Sequence, residues 1–372
     1  MIIEKKSMLY ILNINWNWIK QRPQFLAEEL SKDFNIKVIY PFEYSLNKQL
    51  VTDDLKIGTN KISIKSFFRF PLDSKSKSIK IINDIILSLY LKYSKSSIIW
   101  ITSPKLYRFN IKKNHHFLVY DCMDDMLEFS SNVSLNNEIK KREEQLINDA
   151  DLVICSSDYL KSKLELRYKT DKVINVINNA ISFSDFEETI TLPPENETIF
   201  TKHKLFSFTY IGTISEWMNF NLLISALNRF DNIEFLLFGP LHTSLPKHER
   251  LRYCGLINHK YIYKTMEMSS ALIMPFYLSE LILSVNPVKA YEYIFAYKPI
   301  LAPLYPEMLK FKDYIYLYKN EDDFLDCINS VINKHYYFNR TKEEFIQFAT
   351  DNTWSRRAEK IAELINKCNN KV

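Results

Sequence analysis

The chain has 372 residues, a length that favours two domains of ordinary size. Hydrophobic residues make up 47% of it and charged residues 25%, which is typical of soluble globular proteins and excludes a disordered or fibrous chain. The formal net charge of +5 is modest, and we expect no nucleic-acid partner.

The amino-terminal segment predicts a first strand and no secretion signal. Three charged residues, Glu4, Lys5 and Lys6, precede the strand-like run at 8–14, which is too short for a signal peptide and lacks a small-residue cleavage site. The longest apolar run, at 81–91, falls short of the ~20 residues that cross a bilayer. We therefore expect a cytoplasmic protein without a transmembrane helix.

Strand-like runs alternate with helical segments through the first half of the chain. The strand-like runs lie at 8–14, 36–40, 98–102, 117–120, 152–155 and 173–177. The segments with helical periodicity lie at 23–30, 79–93, 136–148 and 157–167. This alternation predicts a parallel sheet covered by helices, which we assign to a doubly wound domain at 1–185.

A polar, proline-containing stretch at 186–204 interrupts the alternation and predicts a linker. A second alternation follows at 205–352, with strand-like runs at 205–211, 234–238, 271–275 and 300–303. It predicts a second α/β domain of the same kind. The tail at 353–372 is helical in pattern, and we expect it to pack across the interface between the two domains.

Aromatic and polar residues follow the first strand: Trp16, Trp18, Gln21 and Arg22. This is the carboxyl end of the predicted sheet, where open α/β folds bind ligands. An aromatic platform with an arginine suits a sugar or lipid-diphosphate acceptor. The alternative is that the tryptophans pack the loop and that Arg22 only begins a helix.

Three aspartates, Asp121, Asp124 and Asp125, follow the strand-like run at 117–120. At the carboxyl end of a parallel strand, at least one of them should reach a ligand cleft. A carboxylate there could act as the general base that deprotonates an acceptor hydroxyl. We favour Asp124 over Asp121, because Asp121 stands directly on the strand end, where it can hold the following turn.

The chain has four glycines, at 58, 212, 239 and 255. Gly212 joins a predicted strand to a predicted helix, with Thr213 and Ser215 beside it. Unpaired N–H groups and the helix dipole make such a turn suitable for a phosphate, and glycine lets the phosphate approach the backbone. The alternative is an ordinary turn from a strand to a helix.

A second helix start, at 286–293, carries Lys289 and Glu292 one turn apart on one face. This spacing allows the lysine to neutralise a diphosphate while the carboxylate accepts hydrogen bonds from ribose hydroxyls. A surface ion pair between the two side chains is the alternative.

Metal-ligand spacing is absent among the seven histidines, and the five cysteines contain no Cys-x-x-Cys pair. We expect no metal, no disulfide and no cofactor. Lys75, Lys77 and Lys80 gather in one segment, which is either a solvated loop or a peripheral contact with the cytoplasmic face of the membrane.

Together these motifs resemble the family 4-like glycosyltransferases of GT-B architecture. The donor half is matched by Gly-Thr-Ile-Ser-Glu-Trp at 212–217, Phe-Gly-Pro at 238–240, Pro-Val-Lys-Ala-Tyr-Glu-Tyr at 287–293 and Lys-Pro at 298–299. The acceptor half of bacterial teichuronic-acid-type and capsule-type members is matched by Gln-Arg-Pro-Gln at 21–24, Tyr-Asp-Cys-Met-Asp at 120–124, Ala-Asp-Leu-Val-Ile-Cys-Ser at 150–156 and Asn-Asn-Ala at 178–180.

The resemblance implies two Rossmann-like domains that face each other across a cleft, with the tail helix crossing back to the first domain. It implies transfer of a sugar from a nucleotide sugar, which we expect to be UDP-linked, to a bacterial surface glycan or a lipid-linked acceptor. The reaction would need no metal. Retention or inversion at the sugar stays open.

The resemblance also implies roles for residues of the donor half. Glu292 would bind the ribose, and Lys289 together with the Gly212 turn would bind the diphosphate. Gly255 and Leu256 would bind the base through backbone groups. Many members carry a second glutamate eight positions before the first, where this chain has Ser284. We place Ser284 in the donor site as well.

Two other functions stay open. The missing second glutamate, together with the missing Arg and Lys after the Gly212 turn, would suit a non-catalytic GT-B-like subunit that supports a partner transferase. A nucleotide-sugar epimerase can share the same architecture and donor site.

Overall fold

The computed structural model describes residues 5–17, 20–42, 62–70, 76–107, 117–183, 191–201, 205–335 and 340–369. The chain divides into two compact units. The first unit comprises Met1–Asn179 together with Trp354–Val372, and the second comprises Ala180–Thr353. Each unit is built around one parallel sheet.

The first unit contains a seven-stranded sheet. Its strands are β1 (Ser7–Ile11), β2 (Asn35–Phe42), β3 (Ile62–Phe68), β4 (Ile98–Ile101), β5 (Phe117–Cys122), β6 (Leu152–Cys155) and β7 (Ile174–Val176). The spatial order is β3-β2-β1-β4-β5-β6-β7, with every pair parallel. All residues of β4, β5 and β6 are buried, because both faces of a parallel sheet are covered. The order reverses between β1 and β4, which places the ligand crevice of this type of sheet there.

The described residues of the first unit form five α-helices: α1 (Arg22–Leu30), α2 (Lys77–Lys92), α3 (Val133–Asp149), α4 (Asp158–Tyr168) and α12 (Trp354–Asn369). The side chains of Asn132 and Ser157 accept hydrogen bonds from the first turns of α3 and α4, so each helix begins at a polar N-cap. Helix α12 packs against α1, with the rings of Phe25 and Trp354 stacked at 5.3 Å. The carboxyl-terminal helix is thus part of the first unit.

The second unit contains a six-stranded sheet. Its strands are β8 (Phe206–Ile211), β9 (Ile233–Phe238), β10 (Leu251–Tyr253), β11 (Ala271–Ile273), β12 (Ile300–Pro303) and β13 (Tyr316–Tyr318). The spatial order is β10-β9-β8-β11-β12-β13, again with parallel pairs throughout. The reversal falls between β8 and β11, so the loops that follow these two strands border the ligand crevice.

In the part of the second unit that the structure describes there are seven α-helices: α5 (Pro194–Thr201), α6 (Phe220–Arg229), α7 (Ile262–Met268), α8 (Glu280–Ser284), α9 (Val288–Phe295), α10 (Glu321–Ile332) and α11 (Lys342–Asp351). Two apolar clusters fill the space between these helices and the sheet. No helix among the residues that the structure describes is long and apolar enough to cross a membrane.

Candidate functional site

Three of the four glycines meet at the carboxyl edge of the second sheet. Gly212 follows β8, Gly239 follows β9, and Gly255 lies two residues beyond β10. The Gly212 N–H donates to the Phe238 carbonyl at 2.8 Å, and the Gly239 N–H donates to the Gly255 carbonyl at 2.8 Å. These bonds hold three adjacent strand ends together as one edge without side chains, which we call the glycine edge.

Side chains cannot replace two of these glycines in the present arrangement. A Cβ on Gly239, whose φ is +130°, would lie 2.2 Å from the backbone carbonyl oxygen of Gly212. A Cβ on Gly212 would lie 2.0 Å from Cε of Lys289. At Gly255 a Cβ would meet no atom within 4 Å beyond its chain neighbours, so that side of the edge is open. Gly239 stands in the Phe-Gly-Pro motif, but the sequence pattern gave it no role. The scarcity of glycine in this chain is the signal that could have identified it.

Helix α9 places Lys289 directly over Gly212. The Lys289 Nζ lies 5.9 Å from the centre of the Tyr210 ring. Helix α9 is fixed to the end of β8 because the Tyr293 hydroxyl accepts a hydrogen bond from the Ile211 N–H at 2.9 Å. The sequence alone indicates no role for Tyr210 or Tyr293, since nothing in the pattern distinguishes a positioning tyrosine from a core one.

Lys289 is a partly buried cation without a counterion. Burial lowers the pKa of the Lys289 ammonium, and the charge of Glu292 opposes that shift. Among the described residues, no carboxylate is close enough to Lys289 to form an ion pair. The surface ion pair between Lys289 and Glu292, the alternative drawn from the sequence, is therefore not formed. A cation held this way is suited to an anionic ligand.

Glu292 is the second polar group on this face of α9. It is partly buried, and its carboxylate has no hydrogen-bond or ion-pair partner in the part of the chain that is described. A partly buried carboxylate that accepts no protein hydrogen bond can accept them from ligand hydroxyl groups. Lys289 and Glu292 thus lie one helical turn apart, with Lys289 directly over Gly212.

The helix that was predicted to begin next to Gly212 begins later. Helix α6 begins at Phe220, and its N-cap is Asn219, whose side chain accepts from the Leu222 N–H. Thr213 and Ser215 therefore lie in a loop and not in a first helical turn, which corrects the sequence interpretation. The loop between Gly212 and Asn219 is held in place by backbone hydrogen bonds to neighbouring loops.

Backbone hydrogen bonds join this loop to the loops after β9 and β11. The Ile214 N–H donates to the Pro240 carbonyl at 2.8 Å, and the Asn219 N–H donates to the Pro275 carbonyl at 2.7 Å. The loops at the reversal point of the sheet are therefore held in a defined shape before any ligand arrives. Near the glycine edge, Leu256 is 58% exposed, and it offers an apolar surface beside Gly255.

Ser284 does not have the surroundings predicted for a donor contact. Its side chain is fully buried, and its hydroxyl donates to the Leu281 carbonyl at 2.7 Å within α8. The geometry therefore favours a structural role for Ser284 at the end of this helix.

Arg22 and Asp121 form a buried ion pair in the first unit. The guanidinium Nη2 lies 2.9 Å from the Asp121 carboxylate, and both side chains are almost fully buried. Arg22 also donates to the Ile177 carbonyl at 2.7 Å and to the Asn179 side chain at 3.2 Å. The ion pair ties α1 to β5, and the other hydrogen bonds of Arg22 tie α1 to the segment that follows β7. The geometry favours a positioning role for both residues over the acceptor contact predicted for Arg22 and the catalytic role predicted for Asp121, because each side chain is paired with the other.

Asp124 differs from Asp121 and Asp125 in its surroundings. It is partly buried, and its carboxylate has no hydrogen-bond partner among the described residues. Burial raises the pKa of the Asp124 carboxyl to about 6. The charges of Asp121 and Asp125 add to this rise, and Arg22 opposes it. Asp124 is the carboxylate of this group that remains available to a ligand.

Asp125 is held by two cations. Burial would raise the pKa of its carboxyl, but hydrogen bonds from Arg167 and Lys163 outweigh that effect and lower it. Arg167 Nη1 lies 3.0 Å from Asp125 Oδ1, and Lys163 Nζ lies 3.0 Å from Oδ2. Asp125 therefore anchors α4 to the end of β5.

The aromatic platform after β1 is not formed by Trp16. Its ring is 2% exposed, and its carbonyl accepts from the Gln24 side chain at 3.3 Å. Trp16 therefore packs the loop, which was the alternative interpretation. Gln21 is exposed, and its N–H donates to the Gln24 side chain at 3.2 Å. Trp18 lies outside the described residues.

The clustered lysines are only partly described. Lys75 lies outside the described residues, and Lys80 is ion-paired with Glu138 of α3. In the described ranges there is no group of three or more histidine, cysteine or acidic side chains arranged to hold a metal ion.

Comparison with known proteins gives one related sequence and many related structures. No family model matches the chain. A putative teichuronic acid biosynthesis glycosyltransferase of Bacillus subtilis is 26% identical over 245 residues. The match covers 62% of this chain and 61% of that protein, so the chain matches about three fifths of the length of this curated relative.

The solved structures cover almost the whole chain at low sequence identity. Sucrose-phosphate synthase from Thermosynechococcus elongatus gives a TM-score of 0.75 at 11% identity, covering 99% of this chain and 100% of that one. Anabaena HepE in complex with UDP and glucose gives 0.67 at 13% identity, with coverages of 97% and 99%. An Escherichia coli trehalose-6-phosphate protein bound to UDP-2-fluoro glucose gives 0.73 at 10% identity, with coverages of 97% and 99%. The chain has the GT-B fold, and the predicted α/β architecture of two doubly wound units is confirmed.

Proposed function

We propose that this GT-B-fold chain is a glycosyltransferase that takes its sugar from a nucleotide-sugar donor, most directly a UDP-sugar. One observation carries the proposal: Lys289 lies directly over Gly212 with Glu292 one helical turn away, and both are partly buried with no hydrogen-bond or ion-pair partner among the described residues. A cation and a hydrogen-bond acceptor in this arrangement match the diphosphate and the ribose of a nucleotide sugar. The related structures in complex with UDP and glucose and with UDP-2-fluoro glucose have the same fold.

The donor half accounts for how each part of such a ligand is held. The Gly212 backbone has no side chain that would keep a diphosphate away, and the Lys289 ammonium neutralises its charge. Glu292 accepts hydrogen bonds from the ribose hydroxyls. The open side of Gly255, next to the exposed Leu256, accommodates the base.

Lys289 also explains how the transfer step is assisted. When the bond between the sugar and the diphosphate breaks, negative charge grows on the departing phosphate oxygens. A fixed cation stabilises that charge more than it stabilises the intact donor, which lowers the barrier. We propose that this cation and the surrounding backbone dipoles serve without a metal ion.

Asp124 is the group that we propose to receive the acceptor proton. With a pKa of about 6, its carboxyl is mostly deprotonated at neutral pH and still basic enough to take a proton from a hydroxyl in the transition state. Arg22 and Asp121 support this residue by fixing the end of β5. Their role is positioning.

The acceptor that we propose is a bacterial surface glycan or a lipid-linked saccharide. The support is the sequence relation to a protein named for teichuronic acid biosynthesis. Peripheral membrane contact fits the same proposal, because helix α2 and its C-cap residue expose large apolar side chains at intervals of four residues: Ile81, Ile85, Leu89 and Tyr93. Cosedimentation with anionic vesicles tests this contact. If the parent protein and a Leu89→Ser variant bound the vesicles equally, α2 would not be the membrane-contacting element.

The proposed donor chemistry is tested by incubating the protein with UDP-sugars and cell-envelope glycans and measuring UDP release together with sugar incorporation. We expect both to depend on Lys289. UDP release without incorporation would indicate a hydrolase, and conversion of the free donor without an acceptor would indicate an epimerase.

A further inference from the structure

A cavity of about 740 Å³ opens in the second unit, away from the glycine edge. Helices α7, α9 and α11 and the turn that follows α9 form its walls. Lys298 lies two residues before β12, and Met268 lies three residues before β11, so the cavity is at the amino edge of the sheet. Lys289 and Gly212 lie at the opposite, carboxyl edge. We call this space the amino-edge cavity.

Aromatic rings form one wall of the amino-edge cavity. Phe295 packs against Tyr263 with ring centres 5.3 Å apart and against Phe183 at 4.9 Å. Tyr297 packs against Phe345 at 4.9 Å. These contacts hold the rings in fixed orientations while parts of Tyr263, Phe295 and Tyr297 remain open to the cavity. Ordered aromatic faces of this kind pack well against the C–H faces of sugar rings.

Tyr297 adopts an unusual backbone conformation for its type. Its φ is +50°, at the position after the carboxyl end of α9 where glycine is the usual residue. A bulky side chain in this region strains the backbone. The strain is tolerated at a position whose ring forms part of the cavity wall.

Three lysines and one glutamate supply the charge of the cavity: Lys264, Lys298, Lys342 and Glu267. Lys264 is paired with Glu267 at 2.9 Å. Lys298 is partly buried, and within the described residues it has no hydrogen-bond or ion-pair partner. Burial lowers the pKa of its ammonium, and the charge of Glu267 opposes the shift. The excess charge is positive, so the cavity favours an anionic ligand.

We propose that the amino-edge cavity is a second binding site, which takes a saccharide that carries carboxylate or phosphate groups. The sugar rings pack on Tyr263, Phe295 and Tyr297, and the anionic groups pair with Lys298 and Lys342. The volume lies within the ~300–1,000 Å³ of typical small-molecule sites. If the chain extends an acidic glycan, this site holds a part of that glycan remote from the transfer step. That role rests on the proposed function, whereas the binding itself does not.

Calorimetry with trigalacturonic acid, its methyl ester and inorganic phosphate tests the proposal on the full chain. We expect the acid to bind the parent protein and the Lys298→Gln variant to bind it about tenfold more weakly. Lys312→Gln is the matched control, because Lys312 is exposed in the same unit outside the cavity and its loss changes the net charge equally. It should bind the acid like the parent.

Three results would overturn the proposal: no binding of the acid, equal losses in the two variants, or equal affinity for the acid and its neutral ester. Phosphate that binds as tightly as the acid would reduce the site to one for small anions and would also contradict it. Should Lys298→Gln fail to fold, the exposed Lys342→Gln variant carries the same expectation. UDP titrated into the same samples separates the two sites, because its affinity should be unchanged by Lys298→Gln. A parent that binds the acid but not UDP would refute the proposed function and leave this site intact.

Discussion

The side chain of Lys289 occupies the space where a side chain on Gly212 would lie, since a Cβ on Gly212 would come within 2.0 Å of Lys289 Cε and 2.5 Å of Nζ. The glycine therefore makes room for the cation as well as for a ligand. Substitutions of Gly212 and Gly239 should show how much each glycine contributes to ligand binding and how much to folding.

We predict that Gly212→Ala weakens UDP binding at least about tenfold and also lowers the melting temperature, because the φ of +156° strains any residue other than glycine and the methyl group would lie 2.9 Å from the Tyr210 hydroxyl. The added methyl group meets the end of a flexible lysine, which can move away but then loses its place beside the diphosphate. Gly239→Ala is the comparison, because its methyl group would meet the Gly212 backbone at 2.2 Å and should lower the melting temperature more. Parental UDP affinity in Gly212→Ala would contradict the placement of the diphosphate.

Glu292→Gln should weaken binding of UDP by about 1–3 kcal/mol, the scale for losing a charged hydrogen-bond partner. The loss should shrink for 2′,3′-dideoxy-UDP, which lacks the hydroxyl groups that Glu292 is proposed to bind. Glu249→Gln, at an exposed position of the same unit, serves as the control. A loss of equal size for both nucleotides would place Glu292 elsewhere in the donor site.

Asp124→Asn should lower turnover by ~10²–10⁴-fold, the usual contribution of a general base, and leave UDP affinity unchanged. The parent's kcat/KM should rise as the pH increases through about 6, because only the deprotonated carboxylate accepts a proton. This rise should be missing in the variant. Parental turnover in Asp124→Asn would exclude the role.

The same variant gives a readout that does not depend on activity. The folded-state pKa of about 6 lies above the 3.8 usual for an aspartate, so ionisation of Asp124 destabilises the folded protein as the pH rises from about 4 to above 6. Asp124→Asn should therefore melt at a higher temperature than the parent at pH 8, with the difference vanishing near pH 4. Asp121→Asn should instead be destabilised, because it leaves the buried Arg22 charge unpaired.

Sugar transfer should continue in the presence of EDTA, because Lys289 and the backbone groups at the glycine edge neutralise the diphosphate in the proposed mechanism. The measurement is UDP release in chelator, with added magnesium and manganese as comparison. Activity that is lost with EDTA and restored by either ion would show that a metal shares this task.

The sequence predicted the strands whose residues form long apolar runs and missed those that do not. Strand β3 has one buried residue, Phe67, among seven, so it shows neither an apolar run nor a regular alternation. Strands β10 and β13, of three residues each, were also missed, whereas the equally short β7 and β11 lie within the longer predicted runs at 173–177 and 271–275. The first strand ends at Ile11 and not at Ile14, because the pairing with its neighbours stops there.

The donor half was easier to predict than the acceptor half for a physical reason. Lys289 and Glu292 share one helix, so their spacing alone puts them together, and Gly212 is marked by its rarity. Arg22 and Asp121 are 99 residues apart, and only the folded sheet shows that they neutralise each other. A sequence pattern can identify which side chains lie at a strand end. It cannot show which of them already form an ion pair or hydrogen bond with a residue of another strand or helix.

The central claim is that Lys289 and Glu292 beside the glycine edge bind a nucleotide diphosphate. The most direct measurement is calorimetric titration of UDP into the parent protein and into a Lys289→Gln, Glu292→Gln double variant that keeps the parental fold by circular dichroism. We predict that UDP binds the parent and that the double variant binds it at least about a hundredfold more weakly, since each substitution removes a charged contact. If the parent binds neither UDP nor any other nucleoside diphosphate, or if the double variant binds UDP as tightly as the parent, the account of this site is wrong.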